Sequence, residues 1–219
     1  MDPSFWHDRW KRSEIGFHKP DINPLLTAHW AALAVVPGQT VFVPLCGKSL
    51  DMLWLARQGY AVLGIELSEV ACRAFFTENG LVPVVSQEAS FTRWSSSGIE
   101  ILQGNFFDLR PEHVSGVAAV YDRAALVALP ADTRARYAQH LASVLAAPIP
   151  ILLLTMEYEQ SKRPGPPFSV PEDEVRQLYA RTHTVTRLSV RDAFSPQSPW
   201  AQMGLTWLHE KVFCLQPMQ

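Results

Sequence analysis

Short apolar runs alternate along the chain with longer segments in which apolar side chains recur at helical spacing. The apolar runs are rich in Val, Ile and Leu, which is typical of buried parallel strands, and they span residues 41–43, 61–65, 99–102, 116–121 and 151–155. The intervening segments predict helices over residues 24–35, 50–58, 68–79, 134–145 and 171–181. This order predicts an α/β fold with a doubly wound, mostly parallel sheet.

The last third of the chain has a different pattern. Residues 184–190 and 205–215 alternate between apolar and polar positions, which predicts an antiparallel pair of strands at one edge of the sheet. With this pair the sheet is expected to contain about seven strands. A proline-rich stretch at 162–171, KRPGPPFSVP, predicts a loop because proline lacks the backbone donor. Residues 5–20 are aromatic and basic without a clean period, so no element is predicted there.

The most informative stretch runs from Val41 to Ser68 and predicts a strand, a tight loop, a helix and a second strand. Gly47 lies in the loop, where the missing side chain lets a ligand approach a helix N-terminus, and Ser49 is expected to cap that helix. Glu66 closes the second strand, from which its carboxylate can bind the two hydroxyls of a ribose. The alternative is an ordinary strand–helix–strand unit in which Gly47 only makes a turn and Glu66 only caps the next helix. We favour an adenosine-containing cofactor.

The glycine content of the loop indicates which cofactor fits. Loops that bind dinucleotides usually carry three glycines, because the pyrophosphate needs bare backbone. The loop here, PLCGK, carries a single glycine. It therefore suits a ligand without phosphates, such as S-adenosylmethionine, and argues against the alternative of a nicotinamide-dependent reductase.

The composition argues against several other classes of protein. The 219 residues are 47% hydrophobic and 18% charged, which suits one globular domain, and a net charge of −2 gives no drive toward nucleic acid or anionic membranes. No apolar run is long enough to span a membrane and the start lacks a signal-peptide pattern, so a cytoplasmic protein is expected. The cysteines (Cys46, Cys72, Cys214) are scattered and the histidines lack ligand spacing, so neither disulfides nor a metal site is predicted.

Further residues at strand ends point to the same edge of the sheet. Asn105 and Phe106 follow the third predicted strand, where an adenine ring is expected, although turn chemistry alone also explains Asn105. Asp122 and Arg123 end the fourth strand as a polar pair expected to face the cleft, with a structural Asp–Arg ion pair as the alternative. Because the carboxyl ends of parallel strands meet at one edge, these residues predict a single ligand cleft.

Several longer strings resemble the thiopurine S-methyltransferases, a family of class I S-adenosylmethionine-dependent methyltransferases. The resemblance is carried by FVPLCGKSLDMLWLA, GIELSE, FFTENGL, the FDL at 107–109, YDRAALVAL and PGPPFSVP, with weaker matches in FWHDRWKRSEIGFH and GLTWLHEKVFCL. It covers nearly the whole chain in order, and VPLCGKS and YDRAALVA are unusual strings, so the match is specific. The resemblance implies a Rossmann-like fold in one domain over residues 1–219.

The resemblance also carries residue roles. Together with the loop pattern, it implies cofactor contacts for Trp10, Leu45, Gly47, Glu66, Asn105, Phe106 and Arg123. It implies acceptor contacts for Phe17 and Arg123, and Arg123 is expected to stabilise an anionic acceptor. Some family members carry an arginine before the late tryptophan that helps to hold the thiopurine, whereas residues 195–200 contain none here.

The expected reaction is methyl transfer from S-adenosylmethionine to the sulfur of an aromatic or heterocyclic thiol, by a monomeric enzyme without a metal. The alternative acceptors are selenium or tellurium compounds and other small soft nucleophiles, and a non-catalytic sensor of an adenosyl ligand is a third possibility. Residues 1–22 are expected to cover the cofactor site, because their aromatic residues are too many for a solvated tail. Permanent packing of these aromatic residues on the core is the alternative.

Overall fold

The computed structural model describes residues 3–123 and 125–218. The first half contains α1 (Pro3–Lys11), α2 (Pro24–His29), a 3₁₀ helix (Trp30–Leu33), β1 (Thr40–Val43), α3 (Asp51–Arg57), β2 (Ala61–Glu66), α4 (Glu69–Glu78), β3 (Val84–Gln87), β4 (Thr92–Ser96) and β5 (Ile99–Gln103). The second half contains 3₁₀ helices at Phe106–Asp108 and Pro111–Val114, β6 (Val117–Asp122), α5 (Ala125–Ala128), α6 (Ala131–Val144), β7 (Ile151–Glu157), a 3₁₀ helix (Gln160–Lys162), α7 (Glu172–Tyr179), β8 (His183–Asp192), α8 (Pro199–Gln202) and β9 (His209–Pro217).

The strands of the described residues form one sheet in the order β3-β4-β5-β2-β1-β6-β7-β9-β8. The centre is parallel, from β5 through β2, β1 and β6 to β7. Both flanks are antiparallel, with β3 and β4 beyond β5 and with β9 and β8 beyond β7. The carboxyl ends of these strands lie at one edge because the strands are parallel. The chain winds outward from β1 in both directions, which opens a crevice at that edge. The predicted class, a doubly wound α/β sheet with an antiparallel C-terminal pair, is confirmed.

As far as the chain is described, the sheet has nine strands, more than the expected number of about seven. The unpredicted strands are β3 and β4, which contain very few buried residues. Every residue of β3 is exposed, and Trp94 is the buried position of β4. The apolar residues of β3, Val84 and Val85, are exposed, so this strand is held by backbone pairing with β4 rather than by burial, and β4 in turn pairs with β5.

The central strands are continuous apolar runs because both of their faces are buried. In β1, Phe42 packs on one face in a core that includes Tyr137 of α6. Val41 and Val43 point to the other face, into a core that includes Leu55 of α3. Successive side chains of a strand point to opposite faces, so only a sheet covered by helices on both sides buries all three.

Several boundaries differ from the prediction. The N-terminal segment contains α1, in which Trp10 is buried and the other residues are half-buried or exposed, so no apolar stripe indicated a helix. Residue Leu50 occupies the N-cap position of α3, and the Oγ of Ser49 accepts a hydrogen bond from the Asp51 N–H at 3.3 Å. The last strand begins at His209 rather than at residue 205.

Two further properties concern the whole described chain. None of its helices combines the length and the apolar character that crossing a membrane requires. The cysteines Cys46, Cys72 and Cys214 are free and buried. Burial raises the pKa of each of the three thiols.

Candidate active site

One cavity of about 720 Å³ lies at the carboxyl edge of the parallel strands. It has a β2 side, lined by the ends of β1, β2 and β5, and a β7 side, lined by the ends of β6 and β7 and by residues from 163–167 and 199–203. All of the site residues expected from the sequence line this cavity, namely Trp10, Phe17, Leu45, Gly47, Glu66, Asn105, Phe106 and Arg123. The structure therefore brings together residues that are spread over more than half of the chain.

The carboxylate of Glu66 is fixed by backbone amides on the β2 side. Its Oε2 accepts a hydrogen bond from the Gly47 N–H at 2.9 Å, and its Oε1 accepts one from the Ser68 N–H at 2.7 Å. The structural roles named as the alternative are thus present: Gly47 makes a turn, and Glu66 binds the Ser68 amide that precedes α4. A carboxylate has about four acceptor positions, so each oxygen can still accept a hydrogen bond from a ligand hydroxyl.

Burial dominates the electrostatics of Glu66, which is 6% exposed. Burial raises the pKa of its carboxyl to about 7, against the opposing effect of hydrogen bonds from the Ser68, Gly47 and Leu67 amides. The carboxylate is therefore oriented by its backbone partners, and its burial makes it easy to protonate near neutral pH. A ligand that donates hydrogen bonds to it would favour the ionised form.

The loop between β1 and α3 is tightly wound. Leu45 and Gly47 both have positive φ, at 49° and 53°, and the Cys46 N–H donates to the Ile65 carbonyl at 3.0 Å. A left-handed backbone is costly for leucine, so the surrounding contacts must hold this turn in place. A Cβ at Gly47 would lie 3.3 Å from Cζ2 of Trp10, so glycine lets the indole approach the loop.

Asn105 and Phe106 shape the part of the cavity next to β5. Asn105 caps a 3₁₀ turn, in which its side-chain oxygen accepts a hydrogen bond from the Phe107 N–H at 3.0 Å. The ring of Phe106 is buried with its centre 4.7 Å from that of Tyr137 and 5.3 Å from that of His140. Turn chemistry is thus one role of Asn105, and the Phe106 ring is part of the core as well as of the cavity wall.

Asp122 and Arg123, the polar pair at the end of β6, lie in different surroundings, which the sequence did not predict. Asp122 is fully buried, where its carboxylate accepts hydrogen bonds from the Tyr137 hydroxyl at 2.7 Å and the Ala125 N–H at 3.1 Å. Burial raises its pKa to about 6. The expected cleft-facing pair is therefore wrong, since Arg123 lines the cavity and Asp122 does not. The alternative of an Asp122–Arg123 ion pair is also wrong within the described residues, because the carboxylate within 4.0 Å of the Arg123 guanidinium is that of Asp51.

Arg123 lies beside a different carboxylate. Its Nη1 is 3.9 Å from Oδ2 of Asp51, a residue that is 1% exposed at the start of α3. Asp51 also accepts hydrogen bonds from the Tyr121 hydroxyl at 2.9 Å and from the Asn23 N–H at 2.7 Å. Sequence reasoning missed Asp51, because an aspartate in the first turn of a helix reads as an ordinary dipole partner.

Aromatic residues of the N-terminal segment form another wall of the cavity. Trp10 is 5% exposed, and its ring centre lies 5.6 Å from that of Phe17, which in turn is 5.6 Å from that of Trp6. Phe17 itself is 38% exposed. Trp10, at one end of this cluster, packs on the loop that contains Gly47, whereas Phe17 reaches solvent.

The β7 side contains residues that no strand-end pattern indicated. These are Thr155 and Met156 of β7, Arg163, Pro166 and Pro167 of the proline-rich loop, and Trp200 and Met203 near α8. The unusual string PGPPF marked the loop in the sequence, but no spacing linked it to the cavity. Within residues 3–123 and 125–218 there is no group of three or more His, Cys, Asp or Glu side chains that could hold a metal ion.

Comparisons with known proteins agree on the class of this chain. The family model described as thiopurine S-methyltransferase matches residues 1–218. A thiopurine S-methyltransferase of Pseudomonas paraeruginosa is 47% identical over 216 residues, with 99% of each chain covered. One of Nitrosospira multiformis is 46% identical over 215 residues, with 98% of each covered.

Solved structures support the fold at much lower sequence identity. Magnesium protoporphyrin IX methyltransferase from Synechocystis PCC 6803, with bound SAH, has a TM-score of 0.65 at 12% identity and covers 99% of this chain and 100% of that one. Burkholderia thailandensis 1,6-didemethyltoxoflavin-N1-methyltransferase, with bound S-adenosylhomocysteine, has a TM-score of 0.65 at 14% identity, covering 99% and 87%. With the fold and the full-length family match taken together, the chain belongs to the thiopurine S-methyltransferase family.

Proposed function

We propose that this protein transfers a methyl group from S-adenosylmethionine to the sulfur of an aromatic or heterocyclic thiol. One observation carries the proposal. A single cavity is lined by the carboxylate of Glu66, which accepts hydrogen bonds from backbone amides, and by the guanidinium of Arg123. The first group suits an adenosine and the second suits an anionic acceptor. The relatives named above as thiopurine S-methyltransferases support the same reaction.

The residues of the β2 side fit S-adenosylmethionine. Glu66 would accept hydrogen bonds from the ribose hydroxyls, and the loop around Gly47 would leave room for the amino-acid part beside the ring of Trp10. Asn105 and Phe106 would border the adenine. When bound, the cofactor supplies an electrophilic methyl group on a sulfonium.

The protein's contribution on the β7 side would be to orient the acceptor and exclude water. A thiolate is a strong nucleophile, so a preformed anion needs alignment more than it needs a general base. Arg123 would hold that anion by charge, and the neighbouring Asp51 would keep the guanidinium in position. Phe17 would close the acceptor end from the N-terminal segment.

We further propose that residues 1–22, of which residues 1 and 2 lie outside the described part of the chain, act as a cover over the cofactor. Trp10 lies on the glycine loop with its ring against the cavity, and the Phe17 and Trp6 rings extend this wall outward. Such a cover would exclude water while the two substrates meet. The basic residues Lys11 and Arg12 of this segment are exposed.

A panel of acceptors tests the reaction. Purified protein is incubated with S-adenosylmethionine and with thiopurines, aromatic thiols, alkyl thiols, or selenium and tellurium oxyanions, and methylated products are measured with and without EDTA. We expect turnover with the aromatic and heterocyclic thiols and no loss on chelation. Faster turnover of the selenium or tellurium compounds would favour the alternative acceptors, and cofactor binding without any turnover would favour a sensor.

A further inference from the structure

The guanidinium of Arg163 is held in a defined place on the β7 side of the cavity. Its Cζ lies 4.2 Å from the centre of the Trp200 ring, which packs edge-on against Tyr158. Nη1 donates to the Pro167 carbonyl at 3.2 Å, and Nη2 donates to the Pro166 carbonyl at 3.0 Å. Stacking and backbone acceptors fix the plane of the guanidinium but leave its positive charge without compensation.

The other half-buried cations of the cavity wall have carboxylate neighbours, whereas Lys19 and Arg136, which also line the cavity, are exposed. The Nζ of Lys48 lies 2.7 Å from the carboxylate of Glu78, and Nη1 of Arg123 lies 3.9 Å from that of Asp51. Within the described residues, no carboxylate oxygen lies within 4.0 Å of the Arg163 guanidinium. A half-buried guanidinium that lines a cavity without a counter-charge is a binding group for an anion.

Thr155 offers a second, independent sign of a ligand on the same side. It is 3% exposed, it lines the cavity, and its Oγ1 is buried without a hydrogen-bond partner among the described residues. Buried hydroxyls nearly always have a partner, and for this residue of the cavity wall a bound molecule could supply it. Leu154 and Met156 also line the cavity and offer apolar atoms to a ring.

We propose that Arg163 and Thr155 bind the ring of the acceptor and favour a heterocyclic thiolate over a thiolate on a benzene ring. The inference rests on the proposed S-methyl transfer. In a heterocyclic thiolate the negative charge is shared between the sulfur and the ring nitrogens. The ring then offers an acceptor to the guanidinium and a polar atom to the Thr155 hydroxyl, while the sulfur faces the β2 side. A benzenethiolate offers neither group.

Steady-state kinetics with a matched pair of acceptors test this inference. The acceptors are 2-mercaptopyrimidine and thiophenol, compared at a pH at which both are thiolates and with saturating S-adenosylmethionine. Arg163→Ala is expected to raise the KM for 2-mercaptopyrimidine about ten- to hundredfold with little change in kcat, because a hydrogen bond to a charged group is lost. The KM for thiophenol should change less than about threefold.

Two further variants separate binding from structure. Arg163→Lys keeps the charge but not the planar stacking, so we expect it to restore part of the lost selectivity. Thr155→Val keeps the shape and removes the hydroxyl, and it should raise the KM for 2-mercaptopyrimidine about fivefold while leaving thiophenol unchanged. Arg181→Ala, at an exposed arginine outside the cavity lining, is the control and should match the unmodified protein with both acceptors.

The outcomes distinguish the inference from the function on which it rests. Equal losses with both acceptors, or no loss with either, would overturn the inference while leaving S-methyl transfer in place. No turnover of any thiol by the unmodified protein would overturn the proposed function and the inference with it. Calorimetric titration with S-adenosylhomocysteine checks folding, and if Arg163→Ala no longer binds it, Arg163→Lys and Thr155→Val decide the question.

Discussion

The two sides of the cavity are built by different means. On the β2 side the central group, Glu66, is held by backbone amides of Gly47 and Ser68, which belong to one continuous strand–helix–strand unit. On the β7 side Arg123 lies beside the side chain of Asp51 from α3, and Arg163 stacks on the Trp200 ring and donates to carbonyls of its own loop.

The difference suggests a division of tasks. A site made from backbone amides is fixed by the course of the chain and tolerates little variation, which suits a cofactor that is the same for every acceptor. A site made from side chains on separate loops can change by single substitutions, which suits the part that selects an acceptor. We therefore expect variants on the β2 side to lose the cofactor, and variants on the β7 side to lose only acceptors.

The strongest test of the comparison is Glu66→Ala. The change removes the acceptor for the ribose hydroxyls and leaves the Gly47 and Ser68 amides without their carboxylate partner. Each hydrogen bond to a charged group is worth about 1.5–3 kcal/mol, so the affinity for S-adenosylhomocysteine should fall at least about tenfold. Calorimetric titration measures this fall, with the exposed Glu112→Ala as the control. Unchanged affinity in a folded variant would remove Glu66 from the site.

The pH dependence of cofactor binding sharpens the same side of the comparison. Burial raises the pKa of Glu66 to about 7, and only the ionised carboxylate is a pure acceptor for hydroxyls. Binding should therefore release a proton, and affinity should fall about tenfold for each pH unit below that pKa while staying constant above it.

The control for this pH dependence must account for His18, which also lines the cavity and whose pKa is lowered by burial. Glu66→Gln keeps His18 but has no carboxyl to titrate. Its affinity for S-adenosylhomocysteine should be weak and independent of pH between about pH 5 and about pH 8. A slope that persists in Glu66→Gln would assign the titration to another group.

Arg123→Ala tests the β7 side. It should lower kcat/KM for a thiol about tenfold or more, because it removes a cation that faces the acceptor, and it should change the affinity for S-adenosylhomocysteine much less. Initial rates and calorimetry on the same preparation give both quantities. If both fall together, Arg123 belongs with the cofactor, and the two sides are not separate.

Limited trypsin digestion tests whether the N-terminal wall moves. A cover predicts cleavage after the exposed Lys11 or Arg12 in the free protein, slowed severalfold by S-adenosylhomocysteine. Equal resistance with and without the ligand would instead indicate permanent packing, as the burial of Trp10 allows. Equal susceptibility would mean that the segment does not close on this ligand alone.

The same division explains how much the sequence predicted. The parallel centre of the sheet and the Gly47–Glu66 unit were predicted because each lies in one stretch of chain with its own apolar pattern and turn residues. The family resemblance added the N-terminal Trp10 and Phe17, which lie outside that stretch, and both line the cavity.

The remainder depended on contacts that no local pattern records. Asp51 and Arg123 are far apart in sequence, and a buried carboxylate between α3 and β6 becomes visible only when these elements are packed. Strand β3 has only exposed residues, and α1 has one buried tryptophan, so neither shows a hydrophobic period. These features depend on contacts between separate segments, such as the Arg123–Asp51 contact and the pairing of β3 with β4, and such contacts leave no periodic signal in the sequence.

The burial of the cysteines has a consequence for an enzyme that handles thiols. Thiol acceptors oxidise readily, and their disulfides exchange with any accessible protein thiolate. Cys46, Cys72 and Cys214 are each at most 6% exposed, and burial raises the pKa of all three, so the reactive thiolate is scarce even at Cys46, which lines the cavity. The protein should therefore resist capture as a mixed disulfide by its own oxidised substrates, and it should remain active in assays that use disulfide reagents to detect free thiols.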